Sequence, residues 1–196
     1  SVSRGLGDVY KRQLASGSPQ RIALLRQAGY EPKKIQSADI DEAPHKYETP
    51  SAYVKRMATE KACHVAALNP GEIVLGGDTV VVVGRQIIQK AHDEAEQEKV
   101  MRLLSGKTNR VLSAVCLVDK AGKATVRLST TRLSVKKLSE TEIREYIAGR
   151  DWVGCSGFKI EGMMEAFIRK IIGSYSGVVG LPLYETKCLL NGVGIR

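Results

Sequence analysis

Cysteine, histidine and aromatic residues are scarce in this chain, and each shortage closes a route to function. The four cysteines, Cys63, Cys116, Cys155 and Cys188, lie far apart, with no C-x-x-C pair and no histidine at metal-ligand spacing. That excludes a zinc ribbon or a disulfide scaffold and suits free thiols in a reducing compartment, so a cytoplasmic protein is expected. Two Phe, one Trp and seven Tyr are too few for a base-stacking platform. The net charge of +9 would suit phosphates, but the basic residues are spread along the chain, and no specific nucleic-acid partner is expected. A small polyphosphate would use the same charge equally well. Long apolar runs are also missing. The best candidate, Ile73 to Val83, is broken by Gly76, Gly77 and Asp78 and falls short of the roughly 20 residues that span a bilayer, so no membrane partner is expected. What remains, 43% hydrophobic and 26% charged over 196 residues, is the composition of one globular domain or one two-lobed unit.

Residues 1–13, SVSRGLGDVYKRQ, show neither helical nor strand periodicity, and DVYKRQ resembles the translation of a sequencing-library adapter. The expected organisation is therefore a non-native segment at 1–13 and a single domain at 14–196. Leu14 to Ser18 reads as the tail of a strand, followed by a helix with Ser18 as N-cap, Pro19 at its first position, Ile22, Leu25 and Ala28 facing a core and Gly29 at its end. KKIQSADID offers a short strand. Tyr53, Val54, Met57, Ala58, Lys61, Ala62 and Val65 recur at helical spacing between Pro50 and Leu68. A β-branched strand over 72–83, a return strand over 86–89, a helix over 93–104, a hairpin over 108–118 and 124–136, and a capping box at Ser139 follow. Beyond them, 163–171 reads as helical, and GVVGLPLYETKCLL as a last strand, a turn and a helix. Strands alternating with helices predict an α/β or mixed α+β architecture.

Four clusters could carry chemistry. SGSPQR, 16–21, sets Ser16 and Arg21 around a helix start whose free N–H groups suit a phosphate, although Ser-Pro also serves as a plain cap. DIDEAP, 39–44, supplies clustered oxygens for a hard divalent ion, or simply an acidic surface turn. Lys61 falls among the apolar positions of its helix, where a lysine ordinarily snorkels to the surface but could bind phosphate. GGDTVVVVGRQIIQK, 76–90, places Asp78 between glycines and a valine run, with Lys90 beyond a hairpin; such an aspartate could hold a metal or orient water, and the lysine could neutralise phosphate charge.

Taken in order, LASGSPQR, the DIDE loop, the A-x-E-K-A helix, GGDTVV, QK before an acidic helix ending LLSG, and GSYSGVVGLPLYET resemble the Maf family of nucleoside triphosphate pyrophosphatases. The resemblance runs from about Leu14 to near the C-terminus. It implies a two-lobed Maf/ITPase-like fold around a curved mixed sheet with a central cleft. It also implies a homodimer, and cleavage of a nucleoside triphosphate to the monophosphate and pyrophosphate with a divalent cation, Mg²⁺, Mn²⁺ or Co²⁺. Carried over, Asp78, Glu42 and Lys90 are the catalytic candidates, and Glu42 and Asp78 the metal ligands. Ser16, Arg21, Lys61, Gln20, Thr79 and Glu161 are the substrate-binding candidates.

The family commonly has Arg at Gln20, Ala at Gly77, Pro at Ala91 and His at Asn109. Its branches divide over the base. Thr79 matches the branch acting on dTTP and UTP, whereas Glu161 matches the one acting on 7-methyl-GTP, where a carboxylate can accept from the guanine edge. The motif set as a whole favours dTTP/UTP or modified pyrimidine nucleotides in a housecleaning role. The alternatives are the same reaction on 7-methyl-GTP or another modified purine nucleotide, and a non-catalytic nucleotide- or RNA-binding regulator of septum formation.

Overall fold

A computed structural model describes residues 12–195. The chain runs β1 (Arg12–Leu14), α1 (Pro19–Gln27), β2 (Lys34–Ile35), α2 (Pro50–Ala67), β3 (Ile73–Val83), β4 (Gln86–Ile88), α3 (Glu94–Leu104), β5 (Thr108–Val118), β6 (Ala124–Val135), α4 (Glu140–Gly149), a 3-10 turn (Met163–Phe167), β7 (Ile168–Ile172), α5 (Tyr175–Val179) and α6 (Leu183–Gly192). The seven strands form one mixed sheet in the order β2-β1-β3-β5-β6-β7, with β4 paired to β3. β1 runs parallel to β2 and β3, and the other pairings are antiparallel. Among the described residues no helix is long and apolar enough to cross a membrane.

Period-two alternation along β3 and β5 sends side chains to three cores. Val74, Val80 and Val82 of β3 with Leu112, Ala114 and Cys116 of β5 meet α2 on one face. On the other face, Ile73, Leu75, Val115 and Leu117 pack near α1 and α6, while Val81 and Val111 join a separate core with α3 and α4. That face thus carries two separate cores. The seven positions of α2 chosen by periodicity are its seven buried ones, Lys61 included. Thr49 opens this helix by accepting from the Ala52 N–H, and Pro50 starts it.

α2 lies close on β3 because of one glycine. A methyl group at Gly76 would stand 2.7 Å from both the Ala58 carbonyl oxygen and the Ala62 nitrogen. At Gly77 the nearest heavy atom would be 3.4 Å away, an ordinary contact. Gly76 therefore sets the height of α2 over the sheet, and with it the reach of Lys61.

Several local expectations are corrected. The strand read over KKIQSADID shrinks to Lys34 and Ile35, because Ser37 onward turns to the cavity and the acidic loop. In α1 the buried pair is Leu24 and Leu25, while Ala28 is exposed. The helix expected over 163–171 is a 3-10 turn followed by β7, whose Ile168, Ile171 and Ile172 pair with β6. The strand expected in GVVG is α5: Ser174 caps it by accepting from the Gly177 N–H, and a local cap outweighs the β preference of two valines. Residues 1–11 of the segment set apart lie outside the described residues. Arg12 and Gln13 belong to β1, where Gln13 is buried and its side chain donates to Glu72.

Candidate active site

One edge of β3 is divided. β1 pairs with Ile73 to Leu75 and β4 with Val81 to Val83, so the stretch from Gly76 to Val80 has no strand on that side. Asp78 sits in the middle of this gap, on the face turned to α2; Thr79 points the other way. A cavity of about 700 Å³ opens there, lined by residues from both faces of the sheet. All nine residues singled out in the sequence line it: Ser16, Gln20, Arg21, Glu42, Lys61 and Asp78, together with Thr79, Lys90 and Glu161.

The centre of the site is a shared ammonium. Lys61 Nζ stands 2.8 Å from Asp78 Oδ1 and 2.9 Å from Glu42 Oε1. Lys61 and Asp78 are buried, at 9% and 7% exposure, and the Glu42 side chain is half exposed. The ordinary outcome for a lysine among apolar helix positions, snorkelling to solvent, is therefore corrected: a carboxylate at the gap in the sheet takes its charge. Asp39 and Asp41, the other acids of the loop, do not line the cavity, and Asp41 instead caps its own turn by accepting from the Ala43 N–H.

Arg21 forms the second cation. Its Nε donates to the Gly180 carbonyl at 2.8 Å and its Nη1 to Ser16 Oγ at 3.0 Å, which also accepts from the Ser18 N–H. Burial lowers its pKa, with Asp78 and Glu42 acting in the opposite sense, and a guanidinium stays charged under either influence. Gln20 is tied to its own turn, accepting from the Ser18 hydroxyl. Thr79 Oγ1 lies 2.8 Å from Ser113 Oγ and donates to the Gly180 carbonyl at 3.2 Å, so its hydroxyl is largely committed to the protein. Lys90 reaches the far wall, where its backbone bridges to Ser156; its side chain is exposed, as is that of Glu161.

Sequence reasoning missed the parts that hold the acidic loop. Tyr53, on α2, donates its hydroxyl to the Glu42 carbonyl at 2.9 Å. Burial, helped by Asp78 and Glu42, pushes the Tyr53 phenol up to about 12, so it keeps this proton throughout the neutral range. Arg56, one turn on, clamps Glu48 with two bonds of 2.7 Å and donates to the Ala43 carbonyl at 3.0 Å. That pair holds the Glu48 carboxyl at about 2. The Arg56 guanidinium also stands 5.5 Å from the Tyr53 ring centroid. The helical spacing of Tyr53 was visible, but not that a loop folds back onto its helix. Cys155 and Lys159 of the 152–162 loop also line the cavity; burial raises the Cys155 thiol, so it stays protonated.

Among the described residues, no three His, Cys, Asp or Glu side chains gather into a complete metal shell. Glu42 and Asp78 still fit a hard divalent ion of the kind that takes one or two carboxylates and completes its sphere with substrate oxygens and water.

Residues 12–193 match the family described as "Maf-like protein". A "dTTP/UTP pyrophosphatase" of Caulobacter vibrioides is 47% identical over 93% of this chain and 95% of its own length. A protein of the same name from Novosphingobium aromaticivorans is 48% identical over 93% of this chain and 91% of its own. Among solved structures, a HAM1 protein from Coxiella burnetii is similar at a TM-score of 0.47 and 18% identity, over 64% of this chain and 73% of that one. The chain belongs to the Maf-like protein family.

Proposed function

We propose that this member of the Maf-like family hydrolyses dTTP and UTP to the monophosphate and pyrophosphate. The observation that carries the reading is the Glu42–Lys61–Asp78 cluster at the gap in β3, in a chain nearly half identical along its length to proteins named for that reaction.

The triphosphate lies in the cavity against Lys61, Arg21 and Lys90, whose charges offset those of the phosphate oxygens, and against Ser16, whose hydroxyl can donate to one of them. Water adds to the α-phosphorus, the bridging P–O bond breaks with its electrons going to pyrophosphate, and Asp78 orients the water and receives its proton. Glu42 and Asp78 would hold a divalent cation, Mg²⁺, Mn²⁺ or Co²⁺, which supplies Lewis-acid polarisation of phosphate oxygens when bound. Tyr53 and Arg56 keep the Glu42 loop in place. A homodimer and a cytoplasmic setting belong to the same reading and are supported by the family resemblance.

The exposed Glu161 carboxylate favours a second reading, in which the same reaction acts on 7-methyl-GTP or another modified purine nucleotide. A nucleotide panel with Mg²⁺ or Mn²⁺ tests both. Pyrophosphate release fastest with dTTP and UTP is expected, and fastest release with the purine nucleotide would select the second reading. Binding of nucleotide or RNA without turnover of any nucleotide would leave only the regulatory role.

A further inference from the structure

The two carboxylates assigned to the metal already hold a cation. We infer that Lys61 is a resident counter-ion that competes with the divalent ion in the free protein, and that the triphosphate draws it away so that metal and nucleotide enter together. The inference rests on the reading of Glu42 and Asp78 as metal ligands.

Three observations carry it. First, the Lys61 ammonium stands within 2.9 Å of both carboxylates, spanning the position between them that a shared cation would take. Second, the charges at the site balance: the half-exposed Glu42 and the buried Asp78 face Lys61 and Arg21, so little net field remains to draw a free divalent ion into the site. A lysine and a divalent ion cannot occupy one space between two carboxylates, so each lowers the affinity for the other. Third, the other cation is held separately. Arg21 is fixed by Gly180 and Ser16, and no direct bond from it to either carboxylate is present. Lys61, at the end of a flexible four-carbon stem on α2, is the group free to change partner. A triphosphate in the cavity offers its ammonium new oxygens on the same side. Freed of Lys61, Glu42 and Asp78 present their charge to the metal. By linkage, a nucleotide that removes a competitor of the metal raises the metal's affinity, and the metal raises the nucleotide's by the same factor.

The test is Mn²⁺ binding to the intact protein without nucleotide, followed by the electron paramagnetic resonance signal of free Mn²⁺. Wild type should bind weakly. Lys61→Met should bind about tenfold to a hundredfold more tightly, the range of ordinary site–site coupling, and Glu42→Gln added to Lys61→Met should lose that gain. Lys61→Gln, polar and close in length, provides a second variant, and circular dichroism checks that each is folded. Equal affinity in wild type and both variants, with Glu42→Gln abolishing it, would overturn the competition while leaving the metal site standing. No Mn²⁺ binding that depends on Glu42 in any variant would instead remove the metal reading itself.

Discussion

The sharpest test of how this site is built is a comparison of two neighbouring glycines. A methyl group at Gly76 would meet the Ala58 carbonyl oxygen and the Ala62 nitrogen at 2.7 Å, and the Ala62 side chain at 2.8 Å. Two of these atoms are helix backbone, so no side chain can swing aside. α2 has to rise by several tenths of an ångström, and overpacking of this kind costs about 1–3 kcal/mol. The same movement lifts Lys61 from Asp78, a bond of 2.8 Å with little slack. At Gly77 the contacts begin at 3.4 Å, and its φ lies outside the left-handed region. There, Gly77→Ala removes the entropic cost of glycine in a strand and should stabilise by about 0.5–1 kcal/mol. Urea unfolding of the two variants against wild type, with pyrophosphate release measured in parallel, reads both effects. Gly76→Ala should lose stability and most activity, and Gly77→Ala should keep its activity and gain stability. If Gly76→Ala matched wild type in both, the account of α2 resting on that glycine would be wrong.

Four further outcomes follow from the site. Asp78→Asn should lower the rate of pyrophosphate release by about 10²–10⁴, the usual contribution of a positioned proton acceptor; because Lys61 keeps Glu42 as a partner, its melting curve should remain cooperative. Arg56→Ala, which releases Glu48 and Ala43, should expose the 36–49 loop to limited proteolysis and cost about 1.5–3 kcal/mol, the worth of a charge-assisted bond. The Glu48 carboxyl is depressed to about 2 from an ordinary 4.5, so its stabilisation is complete above about pH 4.5 and is lost as the pH falls towards 2. The acid limb of a stability–pH profile should therefore flatten in Glu48→Gln. Tyr53 has the opposite sign: its phenol is raised to about 12, so its contribution holds below pH 10 and fades between 10 and 12, a dependence that Tyr53→Phe should remove.

How much of this was legible varies with the distance over which the deciding interaction acts. α2 was readable to the residue because a 3.6-residue period and a Thr-Pro start are local signals, and its one charged core position marked the site. Asp78 stood out because an acid between two glycines and a valine run is either an awkward loop residue or a chemical group. MMEAFIRKI, 163–171, was misread as helix because its composition suits either form, and only pairing with β6 decides it. SYSGVVG went the other way, since its valines suggest strand while the Ser174 cap and the tight packing of Gly177 against Ser174 favour a helical turn. The Arg56–Glu48 clamp could not be read at all: both residues look like ordinary surface charges until the loop is seen to fold back. Thr79 was expected to bear on the choice of base, yet its hydroxyl is occupied by Ser113 and Gly180.

The divided edge of β3 also bears on how the protein assembles. β3 pairs with β4 and β5 with β6 as neighbours in the chain, and β3 reaches β5 across β4 and α3, but β1 must cross α1, β2 and α2 before Arg12 to Leu14 reach Ile73 to Leu75. Closing that long loop for a strand of three residues is slow to reward, so non-local pairing of this kind tends to come late. Until β1 docks, Ser16 and Arg21 are not held against the gap. A chain emerging from synthesis would thus acquire most of its sheet before it acquires a working pocket.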